Sequence, residues 1–459
     1  MKFLLPPIAA TLFLACTVGA STVTKPNLVI ILTDDQGYAD VGFNGCTDIP
    51  TPHIDSIADL GGRFSNGYVT HPVCGPSRAA LLTGRYQGRF GFNTNPSVDP
   101  DNPDVGIPHD QKNIAEVLSK VGYTSAVIGK WHMGSHPDHH PLSRGFDYFF
   151  GFLTGGHRYL PGELTLNDLS EVKQDWEWYK TRIMENRERV DIDDYLTDAL
   201  TDAGVRFIRR AAQSDKPFML YLAYNAPHTP LQATEKYLSR FRDIRDENRR
   251  IYAAMVSAVD DGVGRVLETL RDLGLEDNTI VAFLSDNGGA RNNASRNTPL
   301  RGFKSDFFDG GLRVPFAMMW PGVIPPGLQY DKPVISLDLL GTIAGVTGAG
   351  IDPERPLDGV NLIPYLTGEQ DGAPHQALYW RAPGPNQMAT RKGELKLVAN
   401  RDRLKDTYQL FDLGEDIAEQ NDLQPERQDA KTELLEAWEA WNSELKPQPF
   451  PALGDVWWR

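Results

Sequence analysis

Short apolar runs that offer no polar face alternate along most of this chain with longer stretches of helical periodicity. The runs are PNLVIIL (26–32), TSAVIGK (124–130), KPFMLYLAY (216–224) and NTIVAFLSD (278–286). Between them lie NIAEVLSKVG (113–122), DALTDAGVRFIRRAA (198–212) and IYAAMVSAVDDGVGRVLETLRDLG (251–274). A strand that is apolar on both sides must be covered on both sides, and helices placed between such strands provide the cover while returning the chain for parallel pairing. The pattern predicts an α/β sandwich around a mostly parallel central sheet. From about residue 375 the texture changes to ALYWRA, QMATRK, ELKLVA and TYQLFDL, followed by ERQDAKTELLEAWEAWNSEL. That end reads as a small antiparallel sheet with a C-terminal helix. The expected division is a leader at 1–20, a main domain at 21–370 and a C-terminal subdomain at 371–459. Residues 157–195 break the α/β rhythm and read as an insertion over the strand ends.

In sheets of this kind ligands gather beyond the carboxyl ends of the strands. The chemically suggestive residues fall there: Asp34 and Asp35, Lys130, His228, and Asp286 with Asn287. Either acidic pair alone reads as a helix cap or a solvated turn. Together they form a set of hard oxygen donors on neighbouring strand ends, which suits Ca²⁺ or Mg²⁺ better than zinc.

The net charge is −15 with no block of Lys or Arg, which argues against a nucleic-acid partner. Any anion site must therefore concentrate its Arg, Lys and His locally. Lys2, an apolar stretch, and Val18-Gly19-Ala20 read as a signal peptide and predict export to the periplasm or the exterior. Phe13, Leu14 and Ala15 before Cys16 make a loose lipobox, which keeps a lipid anchor as an alternative. No later run reaches the roughly 20 apolar residues of a membrane span. Cleavage would leave Cys46 and Cys74, too few for a disulfide framework, so Cys46 is expected as a buried free thiol.

Cys74 stands in HPVCGPSRAALLTGRY (71–86). Pro76 and Ser77 before RAALLT look like a helix start with Ser77 as N-cap, which puts Cys74 near a positive helix terminus. That placement also suits a thiolate nucleophile, although a phosphatase-type loop needs a longer span than the one from Cys74 to Arg78. A buried structural thiol is the third reading.

The CGPSR string, with Leu82, Thr83, Gly84 and Arg85 beyond it, resembles the signature of type I, formylglycine-dependent sulfatases of the arylsulfatase-like kind. The resemblance implies that Cys74 is oxidised to Cα-formylglycine. One hydroxyl of the hydrated aldehyde would attack sulfur, and the other would expel sulfate by collapsing to C=O. NLVIILTDDQG and FLSDNGG resemble the family's metal segments, which implies Asp34, Asp35, Asp286 and Asn287 as ligands of Ca²⁺ or Mg²⁺, completed by residue 74. GKWHMG (129–134) implies Lys130 on the sulfate and His132 as the base that releases it, while His136, His139 and His140 read as a solvated loop. NAPHTP (225–230) implies His228 on the ester, and LRGFKSDFFDGGLRVP (300–315) implies Lys304, with Asp309 where a glutamate is more usual. Arg78 is implied to hold the formylglycine and the anion, and Asp286 to assist deprotonation of the diol.

The resemblance covers residues 26 to about 320 and, more weakly, TYQLFDLGEDIAEQNDL near the end. It implies an alkaline-phosphatase-like core, a sulfated saccharide of galactose or N-acetylgalactosamine type as substrate, and a sulfatase-maturation enzyme as biosynthetic partner. His157 and Arg158, in GGHRYLP at the start of the insertion, are candidates for contact with the sugar; a surface loop in which Arg158 pairs with an acid of 163–194 is the competing reading. Two rivals stay open at this point: a phosphoester or phosphonate hydrolase on the same fold, and a sulfoglycan-binding protein in which Cys74 stays unmodified.

Overall fold

A computed structural model describes residues 25–383, 387–399 and 408–451. The leader and Cys16 lie outside the described residues. A ten-stranded sheet runs through the main body in the order Leu328–Tyr330, Gly62–Phe64, Phe316–Met319, Thr279–Ser285, Asn27–Thr33, Phe218–Ala223, Thr124–Lys130, Tyr148–Phe152, Ile183–Glu185 and Glu188–Val190. The five strands from Thr279–Ser285 to Tyr148–Phe152 are mutually parallel. Phe316–Met319 on one side and Ile183–Glu185 on the other are antiparallel to them, and Glu188–Val190 turns back antiparallel to Ile183–Glu185. Part of the 157–195 insertion thus joins the sheet edge instead of lying over the strand ends.

The absence of alternation in the central runs has the expected origin. Leu28, Ile30 and Leu32 point into one apolar cluster, which they share with Leu81 and Leu82 of helix Cys74–Thr83 and with Leu340 and Ile343 of helix Asp338–Thr347. Val29 and Ile31 point into the opposite cluster, with Leu200 of helix Leu196–Ala211 and Val259 and Val266 of helix Glu247–Asp272. Successive residues of a strand face opposite sides, so each run is divided between two cores. Helix Glu247–Asp272 begins where the Asp246 carboxylate accepts from the Arg249 amide at 2.8 Å. Among the described residues no helix is long and apolar enough to cross a membrane.

The C-terminal part is a four-stranded antiparallel sheet, Leu378–Arg381, Met388–Lys392, Leu395–Ala399 and Tyr408–Asp412, followed by helix Gln428–Asn442. Trp380, Val398 and Phe411 share a cluster with Tyr68, Ile335 and Leu337 of the main body, so the two parts have a common apolar core.

One local expectation is corrected. The helix that carries Cys74 starts at that residue, three before Ser77, and its N-cap is Val73 with no side-chain bond. Proline in a first helical turn lacks only a donor that would have no intrahelical partner there, so Pro76 does not end the helix and the turn extends back through it. The Gly75 amide is satisfied instead by Asn95 Oδ1 at 2.8 Å.

Candidate active site

Strand register determines which residues meet. Thr33 pairs with Ser285, Leu32 with Ala223, and Ala223 with Gly129, so these parallel strands end level with one another. Asp34 and Asp35, Lys130, His228, and Asp286 with Asn287 follow directly from those ends and converge. Cys74 approaches from its helix, and Lys304 from the loop before Asp309.

Cys74 is 1% exposed. Its Sγ lies 3.5 Å from Asp34 Oδ1 and 3.2 Å from Lys304 Nζ. Lys304 Nζ also reaches both oxygens of Asp35, at 2.7 and 2.9 Å. Lys130 Nζ donates to Asp34 Oδ2 at 2.6 Å. Arg78 donates from Nε to Asp286 Oδ2 at 2.8 Å and from Nη1 to the Lys130 carbonyl at 3.1 Å, and its Nη2 lies 2.7 Å from the same Asp286 oxygen as an ion pair. His228 Nδ1 meets the Thr229 carbonyl at 2.6 Å; a carbonyl only accepts, so Nδ1 carries a proton and Nε2 faces Asp35 Oδ2 at 3.6 Å. His132 completes the cavity wall, and the bare Cα of Gly155 leaves room for its Nε2, which a Cβ there would approach to 2.7 Å. Asp35 and His132 both have left-handed backbone angles, φ 63° and 58°, a strain that concentrates at functional sites.

Burial dominates the electrostatics. It pushes the Cys74 thiol up to about 12 despite the Lys130 and Lys304 charges, so the helix terminus does not yield a thiolate. Burial also lowers His228 to about 3, partly opposed by Asp35, and holds His132 well below its ordinary value together with the Lys130, Arg78 and Lys304 charges. Asp286 is raised by burial and by Asp34. Burial opposes ionisation of Asp35 too, but Lys304 and His228 outweigh it and leave that carboxyl lowered.

With both histidines neutral, three carboxylates (Asp34, Asp35, Asp286) face three cations (Arg78, Lys130, Lys304). A divalent cation would leave the cluster positive, as an anion site in an acidic chain requires. The donor set fits a hard cation. Asp34, Asp35, Cys74 and His228 can bring one ligand atom each within 4.8 Å of one another. Asn287 is fully buried, its Nδ2 donates to Asp35 Oδ1 at 2.7 Å, and its Oδ1 has no hydrogen-bond partner. A buried amide oxygen left unpaired beside two carboxylates is an acceptor suited to a cation.

The structure brings Asp34, Asp35, Cys74, Arg78, Lys130, His132, His228, Asp286, Asn287 and Lys304 together. His157 and Arg158 stand apart from them. His157 is buried against Phe152 at 4.7 Å, its Nδ1 meets the Arg158 carbonyl at 3.0 Å, and burial lowers it to about 4. Arg158 pairs with Glu163 at 3.3 Å. Neither lines the cavity, so the surface-loop reading of Arg158 describes its position and His157 is a packing residue. The other histidines organise their loop: His136 and His140 accept from the Asp138 and Leu142 amides, and His139 Nε2 meets the Pro103 carbonyl.

The cavity over Cys74 has a volume of about 230 Å³. Its lining also includes Asn95, Val98, Trp176, Trp178, Tyr179 and Asn292, none of which the sequence motifs point to. A signal for three of them existed in WEWYK (176–180), an aromatic group inside an otherwise charged insertion. A larger depression of about 510 Å³, lined by Asp147, Glu185, Arg206 and Arg210, includes Thr124, the first residue of the strand that ends at Lys130. It therefore lies toward the opposite strand ends and holds none of the predicted residues.

A parallel-sheet α/β body with a buried, helix-borne cysteine among cations and oxygen donors suits the binding of an anionic group. Comparison with known proteins identifies the family: the family model described as Sulfatase matches residues 26–349, and the chain belongs to the sulfatase family, whose members are sulfuric ester hydrolases. The chain is 34% identical over 412 residues to an uncharacterized sulfatase, YdeN, of Escherichia coli K12, covering 78% of this chain and 69% of that one. It is 36% identical to the N-acetylgalactosamine-6-sulfatase of Homo sapiens, over 76% of this chain and 67% of that one. Among solved structures, Ps i-CgsB in complex with k-i-k-neocarrahexaose superposes with a TM-score of 0.87 at 39% identity, over 93% and 94% of the two chains.

Proposed function

We propose that this chain is an exported glycan sulfatase that removes sulfate from galactose- or N-acetylgalactosamine-type sugars through a formylglycine diol made from Cys74. The observation that carries the reading is the position of Cys74 Sγ on the cavity floor, 3.5 Å from the Asp34 carboxylate and 3.2 Å from the Lys304 ammonium. In the mature enzyme an oxygen of the diol would stand in for that sulfur. Relatives named for N-acetylgalactosamine 6-sulfate or captured with a neocarrahexaose support the sugar class. The leader at residues 1–20 supports export.

In the proposed reaction the diol loses a proton to a neighbouring carboxylate, Asp34 or Asp286, and its oxygen attacks sulfur. The bond from sulfur to the sugar oxygen breaks, and the departing oxygen takes a proton from the Lys304 ammonium, with His228 beside the ester. Sugar alkoxides are poor leaving groups, and such assistance contributes about 10² to 10⁴ in rate. His132, a neutral imidazole, then accepts the proton of the second hydroxyl. The carbonyl reforms as the carbon–oxygen bond to sulfate breaks. Arg78 and Lys130 fix the carboxylates and the anion by charge-assisted hydrogen bonds. A Ca²⁺ or Mg²⁺ held by Asp34, Asp35, Asp286 and Asn287 would supply electrophilic polarisation of oxygen at this site.

The test is the mass of the peptide containing residue 74 after expression with a sulfatase-maturation system, measured beside sulfate release from defined sulfated saccharides. The expected result is an aldehyde or its hydrate at residue 74, together with a folded but inactive Cys74→Ala variant. Full activity in that variant would overturn the mechanism.

A further inference from the structure

The cavity lining includes, besides the residues the reaction uses, an aromatic ring, Trp176, that nothing in the chemistry explains. Trp176 is 59% exposed, whereas Trp178 two residues on is 3% exposed and packs with Val98 and Leu169. The exposed ring is held in place. Trp176 has a left-handed φ of 69°, its carbonyl accepts from the Tyr179 amide at 3.1 Å, and its indole lies 5.4 Å from that of Trp178 and 5.7 Å from the Tyr179 ring. Tyr179 in turn lies 6.4 Å from His228. A continuous run of rings therefore leads from the catalytic histidine to the rim.

Two further facts say what this rim would take. The cavity, at about 230 Å³, is below the roughly 300 Å³ at which pockets for drug-sized ligands begin, so it takes the sulfated sugar and little more. Any longer glycan must leave across the rim. Trp176 is also flanked in sequence by Asp175 and Glu177, with Asp175 exposed. Glu177 accepts from the Lys173 amide and from Gln174 Nε2, both at 3.0 Å. Both carboxylates oppose a second sulfate, while Asp175 offers acceptors to hydroxyl groups.

We propose that Trp176 forms an outer sugar subsite that receives a neutral, unsulfated pyranose adjoining the sulfated residue. The C–H face of the sugar lies on the indole, the Asp175 carboxylate faces its hydroxyls, and Asp175 and Glu177 together exclude a neighbouring sulfate. An aromatic ring of this kind combines a large apolar face with little conformational freedom to lose on binding. The inference rests on the glycan-sulfatase reading above and makes it specific: the enzyme favours sulfated sugars with an uncharged neighbour.

The experiment compares kcat/KM of the matured enzyme, Trp176→Ala and Trp176→Phe on a small aryl sulfate and on two oligosaccharides that differ only in sulfation of the neighbouring sugar. In Trp176→Ala, activity on the oligosaccharide with the neutral neighbour should fall roughly five- to ten-fold relative to aryl sulfate, mainly through KM, and Phe should recover most of it. Asp175→Asn with Glu177→Gln should raise the relative activity on the doubly sulfated oligosaccharide. Equal losses on all substrates, or an unaltered ratio between them, would overturn the subsite. Failure of the parent reading looks different: native enzyme that turns over aryl sulfate and no glycan removes the glycan assignment, and native enzyme inert toward both removes the proposed catalytic reading.

Discussion

Asn287 illustrates how a single buried atom carries information. Its side-chain nitrogen is satisfied by Asp35, and its oxygen, fully enclosed, is not satisfied at all. An unpaired buried acceptor costs about 1–3 kcal/mol, a penalty that a bound cation would relieve. On the metal reading proposed above, Asn287→Ala is expected to lower calcium affinity roughly ten-fold or more while leaving the far-UV circular dichroism unchanged. Metal content per chain after dialysis measures this independently of turnover. A second residue-scale expectation concerns His375, whose Nε2 lies 2.8 Å from Asp338 Oδ1. Burial lowers its pKa, but the Asp338 charge outweighs that and leaves it raised above 6.5. A histidine raised by folding stabilises fully below its unfolded pKa, and the contribution disappears as pH climbs through the folded value. Thermal melts should thus show His375→Ala less stable than the native chain at pH 5.5, with the gap narrowing toward high pH.

At the scale of elements, the loop that carries Lys304 is fastened from a distance. Lys396, on strand Leu395–Ala399 of the C-terminal sheet, donates to Asp309 at 2.6 Å and to Glu419 at 2.9 Å, and all three side chains are fully buried. Glu419 also accepts from the Asp309 amide through Oε2, and its carbonyl accepts from Arg301 Nη1, both at 2.7 Å. Burial and the nearby Asp309 raise Glu419 to about 7, while Lys396, Arg313 and Arg391 overcome burial and lower Asp309 to about 2. Lys396→Met would leave the enclosed Glu419 carboxylate without its cation and Asp309 with Arg313, at 3.5 Å, as its remaining cation. Breaking a buried pair in this way costs about 3–5 kcal/mol. Denaturant titration should register that loss, and adding Glu419→Gln should recover part of it. Asp309 belongs to this clamp and not to the chemistry. The sequence could show Asp309 only as a departure from the more usual glutamate, because its partners lie far along the chain.

Over the whole molecule, legibility follows the range of the interactions involved. The central strands were readable because burial on both faces leaves Leu28 to Leu32 without alternation, a local pattern. The strand-end residues were readable because parallel pairing makes such ends converge whatever the loops do. The aromatic wall was not, since Trp176 to Tyr179 reach the cavity only by packing against Val98, a contact between distant segments. Helix Cys74–Thr83 starts four residues earlier than a cap at Ser77 would give, because proline is tolerated in a first turn. His157 and Arg158 were placed by proximity in sequence to the insertion, and their burial and pairing are tertiary facts. The nucleophile helix also bears on the order of events in the life of the protein. Every residue from Cys74 to Thr83 is buried, and the thiol is 1% exposed. A modifying enzyme needs an extended, accessible peptide, so on the reading proposed above the conversion of Cys74 has to precede the closing of the fold. Folded, unmodified protein mixed with an active maturation enzyme should stay a thiol at residue 74, while an unfolded or nascent chain should be converted, as peptide mass would report. Activation is then a decision made once during synthesis, and molecules that fold too early are permanently silent.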